Sequence, residues 1–204
     1  YDHQSGNEET LRTCREHPSL IPAATINLAR YLDWRADVDW CLQRGFRAFR
    51  LFPQGQYWSV EDVGFREFCE HLAPSGLPLF FTITSGEEAT KIAERTADYG
   101  LPVVLLNGYY PSEAATINLM RRFPHIHVDV ARRATPHIVK YLVGECGVDR
   151  LLFGSSAPQN DIQPALNAVH AADLPPEQAE QILSGNLLRL LGQGAADSLP
   201  AVAA

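Results

Sequence analysis

Six short apolar runs alternate with longer stretches of helical spacing along this chain, and no other feature narrows its fold so far. The runs are Leu20–Ile26, Phe46–Phe52, Pro78–Ile83, Val103–Leu106, Ile126–Val130 and Arg150–Phe153. Helical patterns fall near Asp33–Arg44, Asp62–Ala73, Glu87–Tyr99, Ser112–Arg122, Pro136–Glu145 and Ile162–Ala171; Pro176–Leu183 and Asn186–Leu191 read as closing helices. Parallel strands need a crossover long enough to hold a helix, so this alternation predicts a parallel sheet sheathed by helices. Gly45, Gly76, Gly100 and Gly147 each follow a helical stretch and precede a strand, where a helix-ending residue belongs. By count alone, six strands suit a doubly wound sheet as well as a barrel, which has eight strands and about 250 residues.

Composition limits what such a chain can do. With 204 residues, 46% of them hydrophobic, it can bury one sizeable core. Its formal charge of −7 and the lack of any Lys/Arg run argue against nucleic acid or an anionic membrane as partner. No apolar stretch approaches the roughly 18–20 residues that span a bilayer. The opening Tyr-Asp-His-Gln-Ser-Gly has no basic-then-apolar signal pattern, and the chain does not begin with Met. Cys14, Cys41, Cys69 and Cys146 form no C-x-x-C pair and read as buried free thiols, so a reducing, cytoplasmic setting is expected. Residues 1–192 read as a single domain, and 193–204, rich in Ala, Gly and Ser, as a flexible tail.

The segment Asp149-Arg150-Leu151-Leu152-Phe153-Gly154-Ser155-Ser156-Ala157-Pro158 resembles the D-R-L-L-F-G-S-D-x-P stretch of amidohydrolase-related TIM barrels, amidohydrolase family 2. Ile182-Leu183-Ser184-Gly185-Asn186-Leu187-Leu188-Arg189-Leu190-Leu191 is similar to that family's closing I-L-x-G-N-A-x-R-L-L. Weaker likenesses lie at Gly6–Glu9, His17–Asn27, Gly45–Pro53 and Gly76–Phe81. The resemblance runs from about Gly6 to Leu191 and selects the TIM-type (β/α) barrel, lacking the first one or two strands in this chain. It implies that Tyr1 begins near the end of the second strand, and that the first strand, with the family's H-x-H pair, is absent. It also implies hydrolysis of C–N, C–O or C–C bonds, or decarboxylation, of small carboxylated substrates through a metal-activated water and a loop Asp.

At the positions matching the family's metal ligands the donors differ. The His after the G-L-P strand corresponds to Thr82, with Thr84 as the alternative. The second His corresponds to Asn107, and the loop Asp to Ser156. Neutral hydroxyl and amide groups hold divalent metals feebly and remain good hydrogen-bond partners. The expectation is therefore a divergent site with no metal and no cofactor, binding a small molecule.

Other candidates follow from strand alternation. His127 and Asp129 share one face of their strand, Asp129 nearer the carboxyl end where barrel active sites sit. They read as an interior polar pair, as metal ligands or, for Asp129, as a binding or proton-transfer group. His125-Ile126-His127 begins its strand and does not match the H-x-H placement. Phe46, Ala48 and Arg50 share a face, so Arg50 is a candidate for a substrate carboxylate or for a salt bridge to Asp129, while Arg47 leans outward. Tyr57, Trp58, Tyr109 and Tyr110 follow strand ends and read as pocket walls or as packing. Arg132 and Arg133, just past the fifth strand, read as an anion-attracting pair or as solvated side chains. Asp2 and His3 read as an unordered terminus or site residues. Ser155 and Ser156 form no G-x-S-x-G elbow, and Cys41 and Cys69 look structural.

The set of site residues is thus Asp129 and Ser156 as catalytic, and Arg50, Thr82, Asn107 and Tyr109 as substrate-binding. The leading expectation is a divergent hydrolase or decarboxylase acting on a small carboxylated molecule. The alternative is an inactive barrel that binds a ligand or assembles, since open strand edges favour homo-oligomers.

Overall fold

A computed structural model describes residues 2–30, 33–106, 113–131 and 136–192. Six parallel strands form one sheet in sequential order: β1 (Ala23–Ala24), β2 (Ala48–Leu51), β3 (Leu79–Thr82), β4 (Val103–Leu106), β5 (Ile126–Asp129) and β6 (Leu151–Leu152). The helices are α1 (His3–Glu16), α2 (Trp34–Gln43), α3 (Val63–Leu72), α4 (Gly86–Thr96), α5 (Glu113–Arg122), α6 (Pro136–Cys146), α7 (Gln163–His170), α8 (Pro176–Glu180) and α9 (Asn186–Leu190). A wide turn at Gln181–Gly185 joins the last two. Sequential order without reversal is that of a barrel wall, so the doubly wound alternative is dismissed. No described helix is long and apolar enough to cross a membrane.

The two sheet faces differ chemically, as period-two alternation requires. Phe49, Leu51, Leu79, Phe81, Val103, Leu105, Ile126, Val128 and Leu151 pack with Val38, Cys41, Phe65, Phe68 and Ile92 of the helices in one core. Ring pairs Phe49–Phe68, Phe65–Phe81 and Trp58–Phe65, with centroids 5.8, 6.0 and 5.6 Å apart, tie β2, β3 and α3 together. The opposite, inner face carries Ala48, Arg50, Phe80, Thr82, Val104, His127, Asp129 and Leu152. Phe46 departs from the expected face: it precedes the strand and packs on Trp40 in the helical layer.

Gly45 and Gly147 sit at φ +83° and +79°, conformations that favour glycine after a helix. The expected strands at both ends shrink to two residues, because side chains and loops take over their pairing. Just past β1, Thr25 gives its N–H to Asn7 Oδ1 and accepts Asn7 Nδ2 at its carbonyl, both at 2.9 Å; the Asn27 N–H reaches His3 Nδ1 at 3.3 Å. On β6 the Phe153 N–H donates to the Ile182 carbonyl at 2.8 Å, and Asn186 Nδ2 donates to the Leu151 carbonyl at 2.8 Å. Part of each sheet edge is thus paired within the chain.

The N-terminal residues are ordered in a helix rather than forming the loose terminus expected of them. Asp2 caps α1 by accepting the Gln4 N–H at 3.0 Å, and His3 is buried with Nε2 2.8 Å from Asp37 Oδ2. Arg150 donates to the carbonyls of Met120, Phe123 and Cys146, clamping the ends of α5 and α6. Arg189 donates to the Asp149 carbonyl at 2.6 Å. The two motifs most specific to the family thus bind each other. All four cysteines are buried free thiols.

Candidate functional site

Register sets the layers of the inner face. Arg50 pairs with Phe80, Val104 with His127, Thr82 with Leu106, and Asp129 with Leu152. Continuing the Val104–His127 pair by two residues puts Asp129 level with Leu106, and hence with Thr82. One layer toward the carboxyl end of the sheet therefore holds a hydroxyl on β3 and a carboxylate on β5. With strands about 4.8 Å apart, the two stand about 10 Å apart along the sheet.

Arg50 lies one layer lower on β2 and reaches up, donating from a guanidinium nitrogen to Thr82 Oγ1 at 3.3 Å. Its guanidinium also lies 5.2 Å from the Phe52 ring centroid. No described carboxylate pairs with it, so the expected choice between substrate anion and Asp129 goes against the salt bridge. Thr84, the alternative to Thr82, is engaged at the start of α4. Glu88 accepts the Thr84 N–H at 2.8 Å and its hydroxyl at 3.0 Å, and Gln54 donates to Glu88 at 3.1 Å. Ser85 caps the helix by accepting the Glu88 N–H at 3.1 Å. The S-x-x-E spacing of Ser85 and Glu88 was readable as a capping box and would have set Thr84 aside.

Asp129 is 4% exposed and His127 7%. His127 lies one layer deeper, and its Nδ1 must carry the proton it shares with the His125 carbonyl at 3.1 Å, since a carbonyl only accepts. Burial pulls the His127 imidazole down to about 4, aided by the Arg150 and Arg189 charges and opposed by that hydrogen bond. It is therefore neutral at neutral pH. His125 turns away to the helical layer, 3.0 Å from Thr96 Oγ1, and burial lowers its pKa too.

Ser156 sits half-buried in the loop after β6 with φ +57°. Gly154, two residues earlier, lies directly against the Asp129 side chain. The sequence marked Gly154 only as part of a small-residue loop; nothing local showed that its neighbour would be Asp129. Trp58 is packing, stacked on Phe65 with its indole N–H on Gln56 at 3.0 Å, whereas Tyr57 is 93% exposed on the rim. Asn107, Tyr109, Tyr110, Arg132, Arg133 and the tail 193–204 lie outside the described residues.

These observations match a wider pattern. Residues 35–193, most of the chain, fit the model of the family described as Amidohydrolase. The chain belongs to the amidohydrolase family. Solved structures agree on the fold. A 2,6-dihydroxybenzoate decarboxylase from Rhizobium superposes with a TM-score of 0.75 at 14% identity, over 93% of this chain and 76% of that one. An uncharacterized TIM-barrel protein from Bordetella bronchiseptica gives 0.73 at 21% identity, over 92% and 72%. A dihydroxybenzoic acid decarboxylase from Polaromonas sp., with bound manganese and the inhibitor 2-nitroresorcinol, gives 0.76 at 12%, over 97% and 77%. None of the curated proteins matches this chain.

Whether the chain suits a metal such as that manganese is tested by its donors. Among the described residues no three His, Cys, Asp or Glu side chains converge. Thr82 and Ser156 offer hydroxyls, which neither neutralise a divalent ion nor lower the pKa of its bound water much. The described donor set does not fit such an ion.

Proposed function

We propose that this protein decarboxylates or hydrolyses a small carboxylated aromatic molecule at the inner face of its barrel wall, without a metal. One observation carries the reading: Arg50, unpaired with any described carboxylate, donates to Thr82, in whose layer the buried Asp129 stands two strands away. A guanidinium is suited to hold a carboxylate through two N–H donors. Leu106 of β4 stands between Thr82 and Asp129 in that layer, an apolar side chain on which an aromatic ring can pack. Asp129 then works on the ring. As the acid it protonates the carbon that bears the departing carboxylate, the C–C electron pair staying with the ring as CO2 leaves. As the base it activates a water for hydrolysis. Asn107, Tyr109 and Ser156 complete the proposed lining with neutral hydrogen-bonding groups. The decarboxylases of similar fold support the choice of aromatic acids, and the four buried free thiols support a reducing, cytoplasmic setting.

The test is a panel of hydroxybenzoates assayed for CO2 release and for hydrolysis, with and without chelator. Asp129→Asn should lower kcat by about 10²–10⁴-fold. Arg50→Met should raise KM about tenfold with little change in kcat. Turnover that chelator abolishes and manganese restores would sink the metal-free reading. A binding-only barrel is the second reading, favoured by the hydroxyls at Thr82 and Ser156; binding of the panel that depends on Arg50, without turnover, would support it.

A further inference from the structure

We infer that Gly154 is a positioning residue, whose missing side chain lets the Asp129 carboxylate keep its place. This rests on the proposed role of Asp129 in proton transfer. A Cβ built on Gly154 would lie 2.5 Å from Asp129 Oδ2 and 3.1 Å from both its Cβ and its Cγ. Non-bonded carbons normally approach to about 3.5–4.0 Å, so the added methyl and the carboxylate cannot share that space. The crowding is confined to this glycine. Among the others with described surroundings, Gly55 and Gly185 would meet their nearest neighbour at 3.8 Å, and the rest meet nothing within 4 Å.

Backbone conformation does not account for glycine here. Gly154 is absent from the positive-φ residues, whereas the left-handed residue of the same loop is Ser156, at φ +57°. Space is therefore the requirement. Asp129 pairs with Leu152 across β5 and β6, and Gly154 lies two residues further along the same face. The carboxylate rests on the peptide of residue 154, in the volume any other residue would fill. A methyl there swings Asp129 to another rotamer and leaves Arg50, three strands away, untouched.

The experiment compares wild type with Gly154→Ala by NMR of 13C-labelled aspartates, using Asp129→Asn to assign the Asp129 carboxyl signal. The Asp129 carboxyl signal should move, while the other assigned aspartate carboxyl signals hold their positions. With 2,6-dihydroxybenzoate as probe, kcat should fall at least tenfold while KM holds. In an Asp129→Ala background the loss of stability from Gly154→Ala should shrink to less than half. An unchanged Asp129 signal, an equal loss of stability in both backgrounds, or an unaltered kcat overturns the inference. If Gly154→Ala alone does not fold, a folded Gly154→Ala/Asp129→Ala double variant supports the cradle and an unfolded one refutes it. Should wild type turn over no hydroxybenzoate, the proposed function fails, while the NMR signal and the stability comparison still judge the cradle.

Discussion

Replacing Asn186 with Ala tests how the closing segment holds the last strand. Asn186 is fully buried, and its Nδ2 donates to the Val148 and Leu151 carbonyls, both at 2.8 Å. The Leu151 carbonyl faces the outer edge of β6 and is left without that donor, a loss of about 1–3 kcal/mol for a buried unsatisfied acceptor. The Val148 carbonyl still accepts the Leu151 N–H, so its loss is nearer the net value of one hydrogen bond, about 1 kcal/mol. Against these, removing a side chain whose Oδ1 is buried without a partner recovers about 1 kcal/mol. The balance is a destabilisation of about 1–3 kcal/mol, equivalent for a chain of this size to a fall in Tm of about 2–12 °C. Urea unfolding should show the midpoint shifting with m unchanged. Asn186→Leu, which keeps the volume but not the donors, should lose nearly as much. A loss under about 0.5 kcal/mol in Asn186→Ala, or full retention in Asn186→Leu, would refute the argument that these two bonds secure the edge.

Lowering pH should weaken the fold through His127, whose folded pKa of about 4 lies below its ordinary 6.5. The unfolded state then binds the proton more readily, so stability is complete above about pH 6.5, falls as pH drops, and has lost about 3 kcal/mol by pH 4. A His127→Gln variant with the same slope over that window would contradict this. The Cys41 and Cys69 thiols, pushed up to about 12 mainly by burial, should resist DTNB at pH 8 in the native protein and react once it is unfolded in urea; rapid native labelling of either would count against their packing.

Much of the architecture was legible because it depends on neighbours along the chain. Glycines at helix ends and apolar runs between helical stretches placed all six strands to within a few residues. Helix α1 was not among the expected helices although Asn7, Leu11 and Cys14 recur at helical spacing, because the resemblance implied that the chain begins near a strand end. The face assigned to Phe46 failed where alternation was carried one residue beyond the strand itself.

The site was legible in part. Alternation put Arg50 inward and Asp129 above His127, and the family motifs drew attention to Thr82 and Ser156. Alternation cannot say which inward residues touch, since that depends on register between strands 20 or more residues apart. Register made Thr82 rather than Asp129 the partner of Arg50, and brought Gly154 against Asp129.

By itself the sequence determined the parallel strand–helix order, the helix ends, the chemical division of the sheet into two faces, and the family. The first three follow from local spacing and backbone preference, which act over a few residues, and the family from the resemblance of its motifs. Tertiary structure alone decided how the sheet edges are closed, by Asn7 on Thr25 and Asn186 on Leu151. It also decided that a glycine in the loop after β6 leaves room for the Asp129 carboxylate on β5. Those contacts join residues far apart in sequence, and only the packed sheet brings them together.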